Sequence, residues 1–186
     1  MSTIEIRWHG RGGQGVVTAN EILAGAALKE GKFIKAFPEF GPERMGSPIR
    51  AFARISDEPI TVHSQVYYPD VVLIIDATLL KAVKVTDGLK EGGVVIANFP
   101  DEKSKLTQVL GRTENVYVVN ATKIALEEIG RPMTNTAMLG ALIKVTNMVS
   151  IDTIIDETRN RMSGKLSQEV VRKNLSAIRR AYEEVQ

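Results

Sequence analysis

The chain has 186 residues, enough to bury a core of its own without covalent cross-links. Its 24 basic and 22 acidic side chains nearly balance, which gives no electrostatic case for nucleic acid or an anionic membrane as the main partner. It contains no cysteine, and this excludes disulfide bonds, a cysteine nucleophile and any thiolate-held iron–sulfur cluster within the chain.

The amino-terminal third begins with a predicted strand, a glycine-rich turn and a helix. Residues 4–8 alternate between apolar and polar types, as a half-buried strand does. A glycine-rich run follows at residues 10–15, and apolar residues then recur at helical spacing until Gly31 closes the helix. Residues 32–37 are predicted to form a second strand.

The next segment, residues 38–48, contains three prolines and two glycines. Because these residues interrupt helices and central strands, we expect an exposed loop of fixed shape. Residues 49–55 and 60–62 are predicted to form a hairpin, with residues 56–59 as its turn.

The middle of the chain repeats an apolar strand that ends in a polar residue. Three near-continuous apolar runs end at Asp76, Asn98 and Asn120, and the first two are each followed by a plausible short helix. Strands of this kind are buried on both faces, as in a parallel sheet. The three polar residues lie where α/β sheets place ligands, but the preferred interpretation is that they are helix caps and turn residues.

The carboxyl-terminal third is predicted to be helical. Helices are expected at residues 122–129, 136–148 and 151–162, and a last one begins near its N-cap, Ser167. No linker or low-complexity tract divides the chain. We therefore predict one domain over residues 1–186 with an α/β fold: three α/β/α layers, a Rossmann-like and mostly parallel sheet, an added hairpin and a helical carboxyl-terminal part.

The sequence gives no sign of export or membrane insertion. Its first residues lack the basic stretch and apolar run of a signal peptide. No stretch approaches the ~18 uninterrupted apolar residues of a membrane helix. We expect a cytoplasmic chain with no membrane partner.

The glycine-rich run fits the pattern G-x-G-x-x-G and lies between a strand and a helix, the context of a dinucleotide-binding loop. Glycines allow a ligand to approach the backbone, and a helix start favours an anion. Arg11 adds a guanidinium group suited to phosphate. Glu39, the candidate for a ribose-binding acid, comes late and follows a proline, which argues against nicotinamide or flavin. A phosphate contact is therefore favoured, and a tight strand-to-helix turn is the alternative.

Three stretches, taken together and in this order, resemble a known family. They are Trp8-His9-Gly10-Arg11-Gly12-Gly13-Gln14-Gly15, Ala36-Phe37-Pro38-Glu39-Phe40-Gly41-Pro42-Glu43-Arg44-Met45-Gly46-Ser47-Pro48 and Ala51-Phe52-Ala53-Arg54-Ile55-Ser56. They closely resemble the gamma subunit of the multi-subunit 2-oxoacid:ferredoxin oxidoreductases, and most of all the pyruvate type. The clear match covers roughly residues 1–80.

The resemblance implies a subunit that is not active alone. Its complex would convert pyruvate, coenzyme A and oxidised ferredoxin into acetyl-CoA, carbon dioxide and reduced ferredoxin. The implied partners are alpha-, beta- and delta-type subunits, which hold thiamine diphosphate and iron–sulfur clusters. The gamma chain would pack beside the thiamine-binding domains and help to shape the coenzyme A site.

Coenzyme A carries a pyrophosphate and a 3′-phosphate, so the glycine-rich run with Arg11 is the expected contact, and Arg44 is a second candidate. The predicted site residues are Gly10, Arg11, Gly12, Gly13, Gln14, Gly15 and Arg44. No catalytic residue and no metal ligand are expected in this chain. Three alternatives stay open: a gamma subunit for 2-oxoisovalerate, 2-oxoglutarate or indolepyruvate, a stand-alone nucleotide-binding module, and a purely structural scaffold subunit.

Other polar residues have competing interpretations. His9 is a candidate for phosphate binding or proton transfer, or for a local hydrogen bond at a strand end. His63 lies beside Ser64, but no third orienting group is visible for a catalytic arrangement. Glu43 and Arg44 form either a local ion pair or a binding or intersubunit contact. A solvated helix face is predicted for the basic residues Arg172, Lys173, Arg179 and Arg180.

Overall fold

The computed structural model describes residues 3–39 and 44–186. One sheet contains the strands β1 (Ile4–Arg11), β2 (Phe33–Pro38), β3 (Pro48–Ser56), β4 (Val71–Ile74), β5 (Val94–Asn98) and β6 (Val116–Val119). The helices are α1 (Val16–Lys29), α2 (Lys103–Leu110), α3 (Ala121–Ile129), α4 (Asn135–Thr146), α5 (Ile151–Met162) and α6 (Gln168–Glu184). A short 3₁₀ helix, Ala77–Lys81, follows β4.

The sheet is mixed, with the strand order β2-β3-β1-β4-β5-β6. The strands β1, β4, β5 and β6 pair in parallel, whereas β3 pairs antiparallel with both β1 and β2. Helices cover both faces of the sheet. The predicted α/β fold, with a mostly parallel sheet and an added hairpin, is confirmed.

The hairpin is built from other strands than predicted. The strands β2 and β3 form it, and residues 60–62 form no strand, so that part of the prediction was wrong. Both edges of β3 are already paired, which leaves no edge for a further partner. The chain after β3 instead crosses the face of the sheet, where the Arg54 guanidinium donates to the carbonyl oxygens of Ser64 at 2.6 Å and Gln65 at 3.0 Å.

The larger core lies between the sheet and the helices α1, α4, α5 and α6. Trp8 of β1 is fully buried there, as are Ile22 and Leu23 of α1. Burial of a side chain of this size stabilises the fold by about 1.5–3 kcal/mol. Helix α1 therefore forms with its apolar side on the sheet, and this packing fixes where its first turn lies. A smaller core on the other face packs α2 and the 3₁₀ helix against β4, β5 and β6.

The helices of the carboxyl-terminal third agree closely with the sequence pattern. Helix α5 has the predicted bounds, and Ser167 caps α6 by accepting a hydrogen bond from the amide of Val170 at 3.3 Å. After β4, by contrast, only the 3₁₀ helix forms. In the described parts of the chain, no helix is both long enough and apolar enough to cross a membrane.

Candidate functional site

The glycine loop, defined as residues 10–15, includes the last two residues of β1, which extends beyond the predicted end at residue 8, and leads into the first turn of α1. Gly13 and Gly15 have φ angles of 89° and 74°, a left-handed conformation that favours glycine. Gly15 is the N-cap of α1, and no side chain among the described residues caps this helix. Within residues 3–39 and 44–186, the amides of residues 16–18 find no hydrogen-bond acceptor. These amides can therefore donate to an anion.

A second loop packs directly on the glycine loop. The amide of Gly12 donates to the carbonyl oxygen of Ser47 at 2.9 Å. The amide of Gly46 in turn donates to the carbonyl oxygen of Gly12 at 3.1 Å. A Cβ atom at Gly12 would collide with the carbonyl oxygen of Arg44. The close approach of the second loop, residues 44–47, therefore requires glycine at this position.

Arg11 connects three segments of the chain. Its guanidinium donates to the carbonyl oxygen of Gly46 at 3.0 Å and to the Oγ1 of Thr78 at 2.8 Å. Its Nε also lies 3.2 Å from Asp76 Oδ2, and its side chain is 27% exposed. Arg11 thus holds the glycine loop in position while one part of the guanidinium faces solvent.

Gln14 strengthens the same connection. Its Nε2 donates to Asp76 Oδ2 at 2.7 Å, and its Oε1 accepts from the amide of Arg11 at 2.8 Å. Asp76 also accepts from the amide and the hydroxyl of Thr78. Burial raises the pKa of Asp76, but the hydrogen bonds from Thr78 and Gln14 and the charge of Arg11 outweigh it and lower that pKa below its ordinary value. Asp76 is therefore a stable anion at the centre of the network.

The start of α4 supports the loop from the other side. Asn135 is 4% exposed, and its Nδ2 donates to the carbonyl oxygen of Gly15 at 3.2 Å. The sequence predictions missed both Asn135 and Thr78 as parts of the site. For Thr78 a signal exists, because an aspartate two residues earlier is a capping pattern. No local signal marks Asn135, which is 120 residues from Gly15.

Arg44 lies in the turn that contacts Gly12. Its amide donates to Ser47 Oγ at 3.2 Å, and Ser47 Oγ donates to the Arg44 carbonyl oxygen at 2.6 Å. These bonds fix the backbone, and Arg44 as a whole is exposed. The alternative of an ion pair with Glu43 lies outside the described residues, as do Phe40, Gly41 and Pro42.

The three polar residues at the strand ends, Asp76, Asn98 and Asn120, cap helices or make hydrogen bonds to neighbouring segments. Asp76 caps the 3₁₀ helix, and Asn120 caps α3 by accepting from the amide of Lys123 at 2.9 Å. Asn98 Nδ2 donates to the carbonyl oxygen of Ile75 and to Thr122 Oγ1, each at 2.9 Å. These bonds agree with the capping and turn interpretation. Together with Gln14, the three residues line a cleft of about 660 Å³.

The two histidines lie in unlike environments. His9 is 3% exposed, and its Nε2 accepts from Arg7 Nε at 3.1 Å. Burial, and then the charges of Arg7 and Arg50, lower the pKa of His9 to about 3. Its ring is therefore neutral at pH 7 and makes the local hydrogen bond. His63 is exposed and lies 3.2 Å from Lys35 Nζ.

Two of the basic residues predicted to lie on a solvated face of the last helix make ion pairs with neighbouring glutamates. Arg180 contacts Glu127, Glu128 and Glu184, and Lys173 pairs with Glu169 at 2.8 Å, as on a solvated helix face.

Across residues 3–39 and 44–186, no three histidine, aspartate or glutamate side chains are grouped so that they could hold a metal ion. The expectation of no metal ligand stays a prediction.

The sheet order, the glycine loop and the helix that follows it define a Rossmann-like α/β domain. A family model for pyruvate ferredoxin/flavodoxin oxidoreductase matches residues 5–184, and the chain belongs to this family. It is 49% identical over 184 residues to the "Pyruvate/ketoisovalerate oxidoreductases common subunit gamma" of Pyrococcus abyssi, with 98% of this chain and 97% of the relative covered.

Two solved structures share the fold. One is the crystal structure of the pyruvate oxidoreductase subunit PORC from Thermotoga maritima, with a TM-score of 0.88 and 44% identity, covering 100% of this chain and 98% of the other. The second is 2-oxoglutarate:ferredoxin oxidoreductase from Magnetococcus marinus with 2-oxoglutarate, coenzyme A and succinyl-CoA bound. Its TM-score is 0.79 at 22% identity, covering 98% of this chain and 31% of that chain.

These matches confirm the resemblance to a gamma-type subunit that the glycine loop and the proline-rich segment indicated. They also confirm that the chain is a subunit of an oxidoreductase rather than a module outside this enzyme family. Since the relatives are named as subunits, other chains complete the enzyme.

Proposed function

We propose that this chain is the gamma subunit of a complex that oxidatively decarboxylates pyruvate. In this reaction coenzyme A is consumed, acetyl-CoA and carbon dioxide are formed, and ferredoxin is reduced. The role of the gamma chain is to help form the coenzyme A site and to assemble with its partners. One observation carries the coenzyme A assignment: the uncapped start of α1 follows a glycine loop on which the second loop, with the exposed cation of Arg44, is packed.

The proposed site residues divide by what they do. The backbone of Gly13 and Gly15 leads into the open first turn of α1, where a phosphate of coenzyme A accepts hydrogen bonds. The cations of Arg11 and Arg44 neutralise its charge. The remaining members, which hold the loop in the required shape, are Gly10, Gly12 and Gln14.

The redox chemistry is assigned to other chains. Without cysteine, this chain has no thiolate for an iron–sulfur cluster. We therefore place the clusters and thiamine diphosphate in alpha-, beta- and delta-type subunits of a cytoplasmic complex, with ferredoxin as its electron acceptor. Residues 1–186 act in this complex as a single gamma-type domain.

The test compares kinetic constants of the assembled complex. Replacing Arg44 with alanine removes one exposed cation, worth about 1 kcal/mol, so the coenzyme A KM should rise roughly fivefold with the pyruvate KM unchanged. Arg44→Ala tests the loss of a cation more directly than Arg11→Ala does, because replacing Arg11 would also remove the hydrogen bonds that hold the glycine loop. Arg172→Ala, at an exposed arginine of α6, serves as the matched control. Equal effects on both KM values would overturn the assignment.

A second substrate is favoured by one observation. The Pyrococcus abyssi relative is named as a subunit common to pyruvate and ketoisovalerate oxidoreductases. A gamma subunit of this kind can serve more than one 2-oxoacid, in which case the substrate is chosen by the partner subunits. Purifying the complex and assaying viologen reduction with pyruvate, 2-oxoisovalerate, 2-oxoglutarate and indolepyruvate would decide among them.

Because the chain belongs to the oxidoreductase family, a stand-alone nucleotide-binding module is no longer a candidate. A purely structural subunit would leave the kinetic constants unchanged when Arg44 is replaced.

A further inference from the structure

A groove of about 920 Å³ lies beside the glycine loop. It runs between the first half of α1, the end of α5, the start of α6 and the connection from α3 to α4; we call it the α5–α6 groove. Gly13 and Gly15 line one end of it. The groove is thus large enough to take several side chains of another polypeptide.

The groove presents apolar side chains to solvent. Met133 and Leu166 are each 46% exposed, and Val170 is 36% exposed. Partly or fully buried apolar residues, Ile22, Ile129 and Met162, continue the lining between them. Grouped apolar exposure of this kind on a surface marks an interaction site.

Among the described residues that line the groove, basic side chains outnumber acidic ones four to two. Arg161 pairs with Glu21 at 2.7 Å, and Lys173 pairs with Glu169 at 2.8 Å. The other two cations, Arg131 and Lys165, are exposed and have no ion-pair partner in the part of the chain that the structure describes. The groove therefore combines an apolar lining with an unbalanced positive charge.

We propose that the α5–α6 groove is the docking surface for an acidic, amphipathic segment of another subunit of the complex. Apolar side chains of that segment cover Met133, Leu166 and Val170, and its carboxylates pair with Arg131 and Lys165. Charge complementarity of this kind fixes the register of the partner and speeds its association. The inference needs only that the family works as an assembly of subunits, although the groove shares Gly13 and Gly15 with the site proposed for coenzyme A.

A second copy of this chain fits the groove less well. A symmetric dimer through the groove would bring the same surface of both copies together. The net positive charge of the groove in one copy would then face the same net positive charge in the other, and like charges at an interface oppose association. An acidic partner segment removes this repulsion.

The first experiment uses the complex assembled from co-expressed subunits. A carbodiimide joins lysine to a carboxylate in direct contact, and mass spectrometry identifies the joined peptides. We expect Lys165 to be joined to an aspartate or glutamate of another subunit. A cross-link to a second copy of this chain, or a Lys165 that stays as reactive in the complex as in the isolated chain, would overturn the proposal.

The second experiment compares hydrogen exchange of the isolated chain and the complex. Assembly should slow exchange of the amides in residues 161–170 at least about tenfold, since a docked segment blocks local opening. Unchanged exchange there would contradict docking. Slowing by coenzyme A alone, in the isolated chain, would assign the groove to a small molecule instead.

The third experiment reverses the unbalanced charge. The double variant Arg131→Glu and Lys165→Glu should weaken association with the partner subunits about tenfold or more at low salt, and the difference should shrink as salt is added. Lys84→Glu, at an exposed lysine that does not line the groove, is the control. Thermal unfolding of the isolated variants verifies that they fold. A folded double variant that associates like the control would refute the charge complementarity.

Discussion

Gln14 Nε2 donates a hydrogen bond to Asp76 Oδ2 at 2.7 Å, although 62 residues separate the two in sequence. This bond joins the glycine loop to the end of β4, the neighbouring parallel strand. Arg11 makes a second connection to Asp76 at 3.2 Å. The conformation of the loop before α1 is therefore set by contacts with another strand, as well as by its glycines.

Replacing Gln14 with methionine should test this connection. Methionine keeps the length of the side chain but cannot bond Asp76 or the amide of Arg11. Hydrogen bonds to a charged group contribute about 1.5–3 kcal/mol, and for this partly exposed pair we expect a loss of about 1–2 kcal/mol. The measurement is urea unfolding of the isolated chain. The coenzyme A KM of the complex should rise as well if the loop holds a phosphate.

The control for this change is Gln108→Met, at an exposed glutamine of α2. Its free energy of unfolding should change by less than about 0.5 kcal/mol, as surface substitutions usually do. If Gln14→Met were as mild as the control, the hydrogen bonds of Gln14 would contribute nothing to the loop.

Substitutions at Gly12 and Gly92 distinguish the two reasons for which this chain requires glycine, namely a close backbone contact and a left-handed backbone conformation. A Cβ atom at Gly12 would collide with the backbone of Arg44, whereas at Gly92 it would meet open space but at a φ angle of 72°. We expect Gly12→Ala to cost about 2–3 kcal/mol, since the second loop must move. Gly92→Ala should cost about 1 kcal/mol for the left-handed conformation alone. Chemical denaturation of both variants makes the comparison, and equal losses would show that the second loop yields easily.

The order of helices and strands was accessible from the sequence because local patterns determine it. Helix α5 and the N-cap Ser167 follow from apolar spacing and a capping residue, which need no distant partner. The partner of β3 was not accessible in this way. Residues 60–62 are apolar enough for a strand, but β1 and β2 already occupy both edges of β3.

The site was predictable where it is local. The glycines were located correctly before the start of α1, because they and the following apolar spacing are adjacent in sequence, but β1 extends to Arg11 and includes the first two residues of the loop. The prediction could not include Asn135, since only the packing of α4 brings it to Gly15. Nor could it show that the second loop, rather than a ligand, explains glycine at position 12.

Asp76 should make stability depend on pH in the acid range. Its pKa is lowered in the folded chain, so its stabilising contribution is present above the unfolded value of about 3.9 and is lost as pH falls through the folded value. Asp76→Asn should therefore lower the free energy of unfolding at pH 7 by about 1–2 kcal/mol. The difference from the unmodified chain should narrow below about pH 4. Denaturant unfolding at both pH values measures it, and a difference independent of pH would exclude a role for the ionised carboxylate.

His9 should produce a second pH dependence at higher pH. Burial and the charges of Arg7 and Arg50 hold the pKa of His9 in the folded chain at about 3, below the ordinary 6.5. As pH falls, His9 is therefore protonated in the unfolded chain before it is protonated in the folded one. Stability from this residue is complete above the unfolded pKa and is lost as pH falls towards the folded one. Between pH 7 and pH 5 the free energy of unfolding should fall by about 2 kcal/mol on account of His9. His9→Gln, which keeps an acceptor for Arg7, should abolish that part of the slope. The control His63→Gln, at the exposed histidine, should keep this pH dependence. If the unsubstituted chain and both variants lost stability equally between pH 7 and pH 5, His9 would be protonated as easily in the folded chain as in the unfolded one.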